Sequence, residues 1–353
     1  MKTYSHLYSA ICSFENLLEA ARKAQKGKRF QENVGQFNAN LEHELVQLQR
    51  ELLDKSYTPG RFRTFTVFEP KKRMISAAPY RDRVVHHALC NIIEPLFEKK
   101  FIFDSYANRI GKGSHKAILR YQTFCRKNTF VLKCDIKKYF PSIDHEILKA
   151  EIRRTIACRD TLWLIDRIID YSNEQEFIPD YFPGDDLLTP LQKRKGLPIG
   201  NLTSQFFANA YLNRLDHFVK ENLKCKFYLR YMDDFVILGN DKTRLWQLKT
   251  KIEDYLVRWR LRMHENKCQV YKTEKGLSFL GFRVFPEFRL IKRQNVVSTR
   301  RRIRRLQEKY AAHEIEFADV TRSIHGWLGH AKFGDTYRLR QKLFEEFAFV
   351  RAN

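Results

Sequence analysis

The sequence predicts an α+β chain that combines helices with strands, two of which form a hairpin. Three features predict it: a leucine stripe with helical spacing near the start, apolar strands that end in acids in the middle, and a basic helical tail. Of the 353 residues, 43% are hydrophobic and 14% aromatic. This composition excludes a disordered basic tail, a collagen and a coiled coil, and the length allows two or three substructures that fold without disulfide staples.

The first 58 residues are predicted to be mainly helical. Leu41, Leu45, Leu48 and Leu52 follow one another at helical spacing and form one apolar stripe, which ends before Pro59. We expect this stripe to be a packing face.

A strand is predicted over residues 62–68, where aromatic residues or Val alternate with Thr and Arg. The basic turn 69–73 follows it. A second basic cluster, Arg81-Asp82-Arg83, opens an apolar helix that runs to about Ile93.

Three strand-like stretches in the middle of the chain carry acids at one end. They are residues 130–135, which end in Asp135, residues 227–234, which end in Asp233 and Asp234, and residues 235–238. The last two stretches predict a hairpin with both acids at its tip. Between the acidic sites we expect helices and a loop, listed in chain order as helices 147–156 and 162–171, the loop 179–190, and a helix opened by 196–201.

The tail of the chain changes character at Pro286. Between Arg289 and Lys309 there are nine Lys or Arg residues against one acid, whereas a solvated helix face usually mixes charges of both signs. Apolar residues at helical spacing follow, from Ile324 to Phe333. We therefore predict a small basic helical module.

Charge and cysteine usage restrict the partners and the compartment. A net charge of +24 attracts polyanions, so nucleic acid is the leading partner, with a basic but inert surface as the alternative. The seven cysteines are scattered singly, which disfavours a zinc ribbon or a disulfide framework and favours the cytoplasm. No run of 18 apolar residues occurs, so no membrane association is expected.

Asp135 and Asp233 are candidate ligands for divalent cations, with Asp234 beside them. Bare carboxylates repel one another, and Mg²⁺ neutralises that repulsion. In phosphoryl transfer, two metal ions ~3.5–4 Å apart activate the attacking hydroxyl and stabilise the leaving oxygen. The alternative is an ordinary solvated turn, against which the apolar residues on both sides of the acids argue.

Tyr231-Met232-Asp233-Asp234 is identical to the hallmark tetrapeptide of reverse transcriptases. Four further blocks occur in the order of that family: Asp135-x4-Phe140, Gly200, Asn266-Lys267 and Phe279-Leu280-Gly281-Phe282. The sequence thus resembles reverse transcriptases from about Lys71 to Phe282, and its basic tail lies where that family has its thumb.

The resemblance implies a right-hand polymerase fold with fingers, a ferredoxin-like palm built on an antiparallel sheet, and a helical thumb. The implied division is an N-terminal helical extension at 1–60, fingers at 61–130 with 151–195 contributing to fingers and palm, a palm at 131–150 and 196–285, and a basic helical thumb at 286–353.

Site roles follow from the same resemblance. Asp135, Asp233 and Asp234 match the acids that hold two Mg²⁺ ions, for which Mn²⁺ substitutes, and Lys267 matches a lysine that protonates the leaving pyrophosphate. Phe140 matches the steric gate against a ribose 2′-OH, with core packing as its alternative. The implied deoxynucleotide-binding residues are Lys72, Arg73, Arg81, Phe140, Ile199 and Gly200. The basic residues expected to bind nucleic acid in the tail are Arg293, Arg300, Arg301, Arg304 and Arg305.

The sequence does not decide which basic residues of the predicted fingers contact the triphosphate. The triphosphate is implied to contact some of five side chains, and a solvated basic loop is the alternative for each. They are Lys71, Lys72, Arg73, Arg81 and Arg83.

One block departs from most of the family. Where most members carry Gln-Gly-x-x-x-Ser-Pro, this chain has Ile199-Gly200-Asn201-Leu202-Thr203-Ser204-Gln205. That pattern resembles the reverse transcriptases of diversity-generating retroelements, which copy a template RNA into cDNA with errors at adenines. Group II intron enzymes are a more distant resemblance. The Ile199 side chain offers no hydrogen bond near the sugar and base of the incoming nucleotide. Discrimination between nucleotides at this position therefore rests on shape, which separates similar partners by only ~1–3 kcal/mol. The alternative is a packing role and ordinary fidelity.

These observations predict an RNA-directed DNA polymerase, a nucleotidyltransferase that makes cDNA in mutagenic retrohoming in a bacterium or phage. The expected partners are template RNA, the RNA/DNA hybrid and dNTPs. The resemblance also implies a small basic accessory variability protein. The alternatives are a host-defence or retron-like reverse transcriptase, and a catalytically inactive RNA-binding scaffold.

Overall fold

Residues 2–68, 72–173 and 175–351 are described by the computed structural model of the chain. The helices are α1 (Tyr8–Ile11), α2 (Phe14–Ala24), α3 (Glu32–Ala39), α4 (Leu41–Leu53), α5 (Tyr80–Glu98), α6 (Ser114–Cys125), α7 (Tyr139–Ser142), α8 (His145–Arg153), α9 (Arg159–Asp170), α10 (Thr189–Gln192), α11 (Leu202–His217), α12 (Lys242–Val257), α13 (Arg293–Ala311), α14 (Phe317–Ala331) and α15 (Tyr337–Glu345). The strands are β1 (Arg63–Val67), β2 (Arg73–Ala77), β3 (Phe130–Asp135), β4 (Tyr228–Tyr231), β5 (Asp234–Gly239), β6 (Gln269–Lys272), β7 (Leu277–Phe279), β8 (Phe282–Val284) and β9 (Arg289–Ile291).

The N-terminal helices pack as the leucine stripe predicts. Leu45, Leu48 and Leu52 of α4 are fully buried, and Leu41 packs against the same core. The helix ends at Leu53, before Pro59. The prediction of a helical packing element at the start of the chain is therefore confirmed.

A four-stranded antiparallel sheet lies at the centre, with strand order β4-β5-β3-β6. Along the chain, helices separate β3 from β4, and α12 separates β5 from β6. This is the β-α-β-β-α-β order of ferredoxin-like folds. The α+β class and its antiparallel sheet are confirmed, and the division into fingers, palm and thumb stays a prediction.

The predicted hairpin is confirmed. Tyr231 of β4 is paired with Asp234 of β5, so Met232 and Asp233 form a two-residue turn. Met232 has a φ of 57°. A positive φ at the first central residue matches the twist of adjacent strands, and a non-glycine side chain adopts it at a cost.

The strand predicted over 62–68 is β1, and it pairs with a strand that the sequence did not indicate. The partner, β2, runs antiparallel from Arg73 opposite Val67 to Ala77 opposite Arg63. Residues 69–71 of the predicted basic turn, with Lys71, lie outside the described residues.

The tail is less helical than predicted, because its first segment is a strand. Arg289–Ile291 forms β9, which pairs with β8 in the three-stranded sheet β7-β8-β9. A three-residue strand is too short to show a period, so charge dominated the prediction there. Trp327 and Ala331 of α14 are buried as expected, and Phe333 lies beyond the helix.

The cysteines behave as predicted. All seven are free, and all except the half-buried Cys158 are buried. Within the described ranges, no helix combines the length and the apolar character that crossing a membrane requires.

Candidate active site

Strand pairing brings the three predicted acids to one end of the central sheet. Asp135 is the last residue of β3, and it lies directly opposite Asp234, the first residue of β5. Asp233 occupies the adjoining turn, where its carbonyl oxygen accepts a hydrogen bond from the Ile136 N–H at 3.3 Å. Distant segments of the sequence thus place three carboxylates side by side.

Burial and neighbouring carboxylates make Asp233 and Asp234 hard to ionise. Burial, followed by the charges of Asp234 and Asp135, raises the pKa of Asp233 to about 6, and the Arg73 guanidinium opposes the rise. Burial and Asp135 also raise the pKa of Asp234, whereas Lys133 and Lys267 lower it. A divalent cation would relieve the repulsion, because it favours all three charged forms.

The raised pKa predicts a pH-dependent gain in stability for Asp233→Asn. A carboxyl group that keeps its proton to higher pH in the folded state loses folding stability as pH rises from about 4 to about 6. The neutral amide avoids this penalty, so the metal-free variant should be more stable by on the order of 1–3 kcal/mol at about pH 7.5, and by little at about pH 4. Denaturant unfolding in EDTA measures the free energy of unfolding of the variant and of the wild type at each pH. Equal stability of the two proteins at the higher pH would contradict the prediction.

Two lysines contact the acids. Lys267 Nζ lies 2.9 Å from Asp135 Oδ1. Lys133 Nζ lies 3.8 Å from Asp234 Oδ1 and donates a hydrogen bond to the Ser278 carbonyl oxygen at 3.2 Å. Lys267 is therefore close to the acids, and its proton-donor role stays a prediction.

The donor set at this end of the sheet fits a divalent cation. Carboxylate oxygens are the ligands that Mg²⁺ prefers, and the buried Oδ1 of Asp234 has no hydrogen-bond partner. In the described part of the chain, however, no group of three or more His, Cys, Asp or Glu side chains is arranged to hold a metal ion. Asp135 contacts Lys267 instead, so a metal ion could be held here only after local rearrangement of these side chains.

The strand that carries Arg73 is attached to the Ile199-Gly200-Asn201 block. The Ser76 N–H donates to the Ile199 carbonyl oxygen at 2.9 Å. The buried Asn201 side chain donates to the Ser76 carbonyl oxygen at 2.8 Å and accepts from the Ala78 N–H at 3.0 Å. These bonds hold β2 against the start of α11.

Gly200 is needed for this close approach. Its φ is 118°, and an added Cβ would lie 3.0 Å from Ile75 Cγ2. A larger residue would strain the backbone and push β2 away.

Phe140 lies beside the same block. Its carbonyl oxygen accepts a hydrogen bond from the Leu197 N–H at 2.9 Å. Its ring is half-buried and meets the Tyr139 ring edge-on at 5.7 Å. It packs against the main core, which is the apolar cluster that also contains Leu45 and Leu48 of α4. Both the steric-gate role and the packing alternative are compatible with this position.

The predicted finger cations face different neighbours. Arg73 and Lys72 are exposed, and the charge of Arg73 acts on Asp233. Arg81 Nη2 instead lies 2.7 Å from Glu51 Oε1 on α4, while Arg83 Nε donates to the Ala78 carbonyl oxygen. Of these residues, Arg73 has the clearest link to the acids, and the triphosphate contacts stay predictions.

The predicted nucleic-acid-binding arginines lie on α13. Arg293 is in its first turn, and Arg301, Arg304 and Arg305 are exposed. A shallow groove of about 470 Å³ runs along this face. Arg300 borders the groove and pairs with Glu346.

Sequence reasoning missed the buried polar residues that support the site. Arg230 and Asp216 are both fully buried, and Asn201 is nearly so. The signal was present for Arg230, because a buried strand reading Tyr-Leu-Arg-Tyr must pair its charge inside the protein.

Comparisons with known proteins cover most of the chain. Residues 66–284 match the family model described as "Reverse transcriptase (RNA-dependent DNA polymerase)". Protein YkfC of Escherichia coli K12 is 26% identical over 309 residues, which cover 76% of this chain and 78% of YkfC. Group II intron-encoded protein LtrA of Lactococcus lactis is 25% identical over 191 residues, covering 53% of this chain and 30% of LtrA. An uncharacterised 91 kDa protein in the cob intron of Schizosaccharomyces pombe is 29% identical over 174 residues, covering 49% of this chain and 20% of that protein.

Proposed function

The chain belongs to the reverse transcriptase family, and from this premise we propose that it is an active RNA-directed DNA polymerase. The observation that carries the proposal is the position of Asp135 beside the Asp233-Asp234 hairpin. A binding scaffold does not need Asp135 placed where its charge raises the pKa of both Asp233 and Asp234, whereas two-metal phosphoryl transfer needs carboxylates this close together.

In the proposed reaction, the primer 3′-hydroxyl loses its proton to water, its oxygen attacks the α-phosphorus of a dNTP, and the bond from that phosphorus to the bridging oxygen breaks as pyrophosphate leaves. Asp135, Asp233 and Asp234 would hold two Mg²⁺ ions, which lower the pKa of the attacking hydroxyl and neutralise charge on the phosphates when bound. Arg73 adds positive charge near Asp233. Lys267 would donate a proton to pyrophosphate once the lysine side chain has moved away from Asp135. The exposed arginines of α13 would bind the phosphates of the RNA/DNA hybrid.

Primer extension tests the proposal. The purified protein, given oligo(dT) on poly(rA), dTTP and Mg²⁺, should extend the primer, and Mn²⁺ should substitute for Mg²⁺. RNA binding without extension in either metal would contradict the proposal and favour a binding scaffold.

We further propose that synthesis is error-prone at template adenines, as a role in a diversity-generating retroelement would require. Support comes from Ile199, an apolar side chain in the block that holds β2, where most of the family has an amide. The Ile199 carbonyl oxygen accepts from the Ser76 N–H, a bond that does not involve the side chain, so replacing the side chain should change the chemistry rather than the path of the chain. The accessory variability protein also stays a prediction.

Ile199→Gln should lower misincorporation opposite adenine by about 3–10-fold, because an amide adds a hydrogen bond to discrimination that otherwise rests on shape. Sequencing of cDNA made on a defined RNA template measures the error rate at each base. Ile199→Leu is the matched control, since it changes shape without adding a hydrogen bond. An unchanged error rate in Ile199→Gln would contradict this role of Ile199.

A further inference from the structure

A fully buried ion pair joins Arg230, on the strand that leads into the acidic turn, to Asp216 of α11. Arg230 Nε donates to Asp216 Oδ1 at 2.7 Å, and Arg230 Nη2 donates to Asp216 Oδ2 at 2.7 Å. Neither side chain is exposed to solvent. Tyr228 also donates its hydroxyl proton to Asp216 Oδ1 at 2.7 Å, so α11 and β4 are joined by a two-pronged, charge-assisted contact.

The third nitrogen of the guanidinium reaches the turn itself. Arg230 Nη1 donates to the Met232 carbonyl oxygen at 3.0 Å and to Asn209 Oδ1 at 3.2 Å. The peptide that joins Met232 to Asp233 is therefore held at its oxygen by Arg230. The next carbonyl, that of Asp233, is held by the Ile136 N–H at 3.3 Å.

The backbone of Arg230 is held as well. Its N–H donates to the Asp104 carbonyl oxygen at 3.0 Å, and its carbonyl oxygen accepts from the Tyr106 N–H at 3.0 Å. These bonds pair the Arg230 backbone at the outer edge of β4. Arg230 thus joins the turn to a helix, a loop and the central sheet.

Stability alone does not explain this pair. Burying two charges costs desolvation, and apolar residues of similar volume often stabilise a core equally well or better. What an apolar pair cannot provide is a rigid fork with a donor left over for the Met232 carbonyl oxygen. That carbonyl belongs to a residue with a φ of 57°, a conformation that surrounding contacts must maintain.

We propose that Arg230 is a positioning residue, which orients the Met232–Asp233 peptide and so aims the Asp233 carboxylate at a divalent cation. The inference rests on the proposed function, because it assumes that Asp233 binds metal. Lysine would not replace the arginine, because a single ammonium group cannot bridge Asp216 and Met232 in a fixed plane.

Electron paramagnetic resonance can measure direct Mn²⁺ binding in the absence of nucleotide. This measurement tests the inference separately from catalysis. Arg230→Lys should weaken Mn²⁺ affinity by about 10–100-fold, the range typical of residues that orient metal ligands. If the wild type extends primers, the Mg²⁺ concentration for half-maximal extension should rise by a similar factor, and added Mg²⁺ should restore the rate. Restoration by metal is not expected of a purely structural residue.

Two further variants complete the test. Arg230→Met combined with Asp216→Leu removes both charges together, which avoids leaving one buried charge unpaired, and it should show the same loss of Mn²⁺ affinity. Arg109→Lys is the matched control. Arg109 is a half-buried arginine whose side chain is only 5% exposed, with two nitrogens on Glu98 and one donating to the Ile102 and Ser105 carbonyl oxygens, and its replacement should leave Mn²⁺ affinity unchanged.

The outcomes separate the two proposals. A folded double variant with wild-type Mn²⁺ affinity would overturn the positioning role, and so would unfolding of both Arg230 variants, since the pair would then serve stability. A wild type that binds Mn²⁺ without extending primers would contradict the polymerase proposal alone. A wild type that binds no Mn²⁺ without nucleotide would overturn the positioning role, and it would overturn the polymerase proposal only if primer extension failed as well.

Discussion

Asp233→Asn should abolish primer extension while leaving the protein folded. The amide keeps the shape of the side chain but removes the charge that would hold a cation beside Asp135, and an amide oxygen is a much weaker ligand for Mg²⁺. We expect the extension rate on poly(rA)·oligo(dT) to fall by about a thousandfold or more, equivalent to ~4 kcal/mol of transition-state stabilisation. The variant should be at least as stable as the wild type near neutral pH, so unfolding would not explain the loss.

The matched control is Asp254→Asn, which makes the same charge change at an exposed position on α12. It should retain wild-type extension. RNA binding should persist in both variants, because the proposed phosphate contacts lie on α13. An Asp233→Asn protein that still extends primers at a rate near that of the wild type would contradict the assignment of Asp233, and a wild type that is equally inactive would favour the binding scaffold.

Phe140→Ala should allow the enzyme to incorporate ribonucleotides. If the ring occupies the position of a ribose 2′-OH, its removal eliminates a steric clash and little else at the site. Relative kcat/KM for UTP against dUTP should then rise by about 10–100-fold, which corresponds to ~1–3 kcal/mol of lost discrimination. Steady-state primer extension with each nucleotide measures the ratio.

The packing alternative for Phe140 gives a different result. The ring packs against the main core, so its loss should also lower stability by about 1–3 kcal/mol, less than for a fully buried aromatic. Phe218→Ala is the control. Phe218 is a half-buried phenylalanine on the same core, stacked on Tyr255 at 3.9 Å, and its removal should lower stability without changing the ratio. A lower stability with an unchanged ratio in Phe140→Ala would make Phe140 a packing residue.

Local patterns in the sequence were sufficient for several elements. The leucine stripe of α4 and the apolar strands around Asp135 and Asp233 each contain their own period, so helix and strand could be assigned without knowing any partner. The turn at Met232 could also be predicted locally, because two acids stand there between two apolar strands. Segments without a period were missed or misassigned, among them β2, which pairs in an exposed two-stranded sheet, and the three-residue β9.

The sequence by itself determined the strands that carry the acids, the acidic hairpin and the order of motifs that led to the family. Tertiary structure decided which groups meet: Asp135 opposite Asp234, Lys267 on Asp135, Ser76 on Ile199, and Arg230 between Asp216 and the Met232 carbonyl oxygen. The physical reason is that helix and strand propensities act over a few neighbouring residues, whereas these contacts join segments that only strand register and core packing bring together.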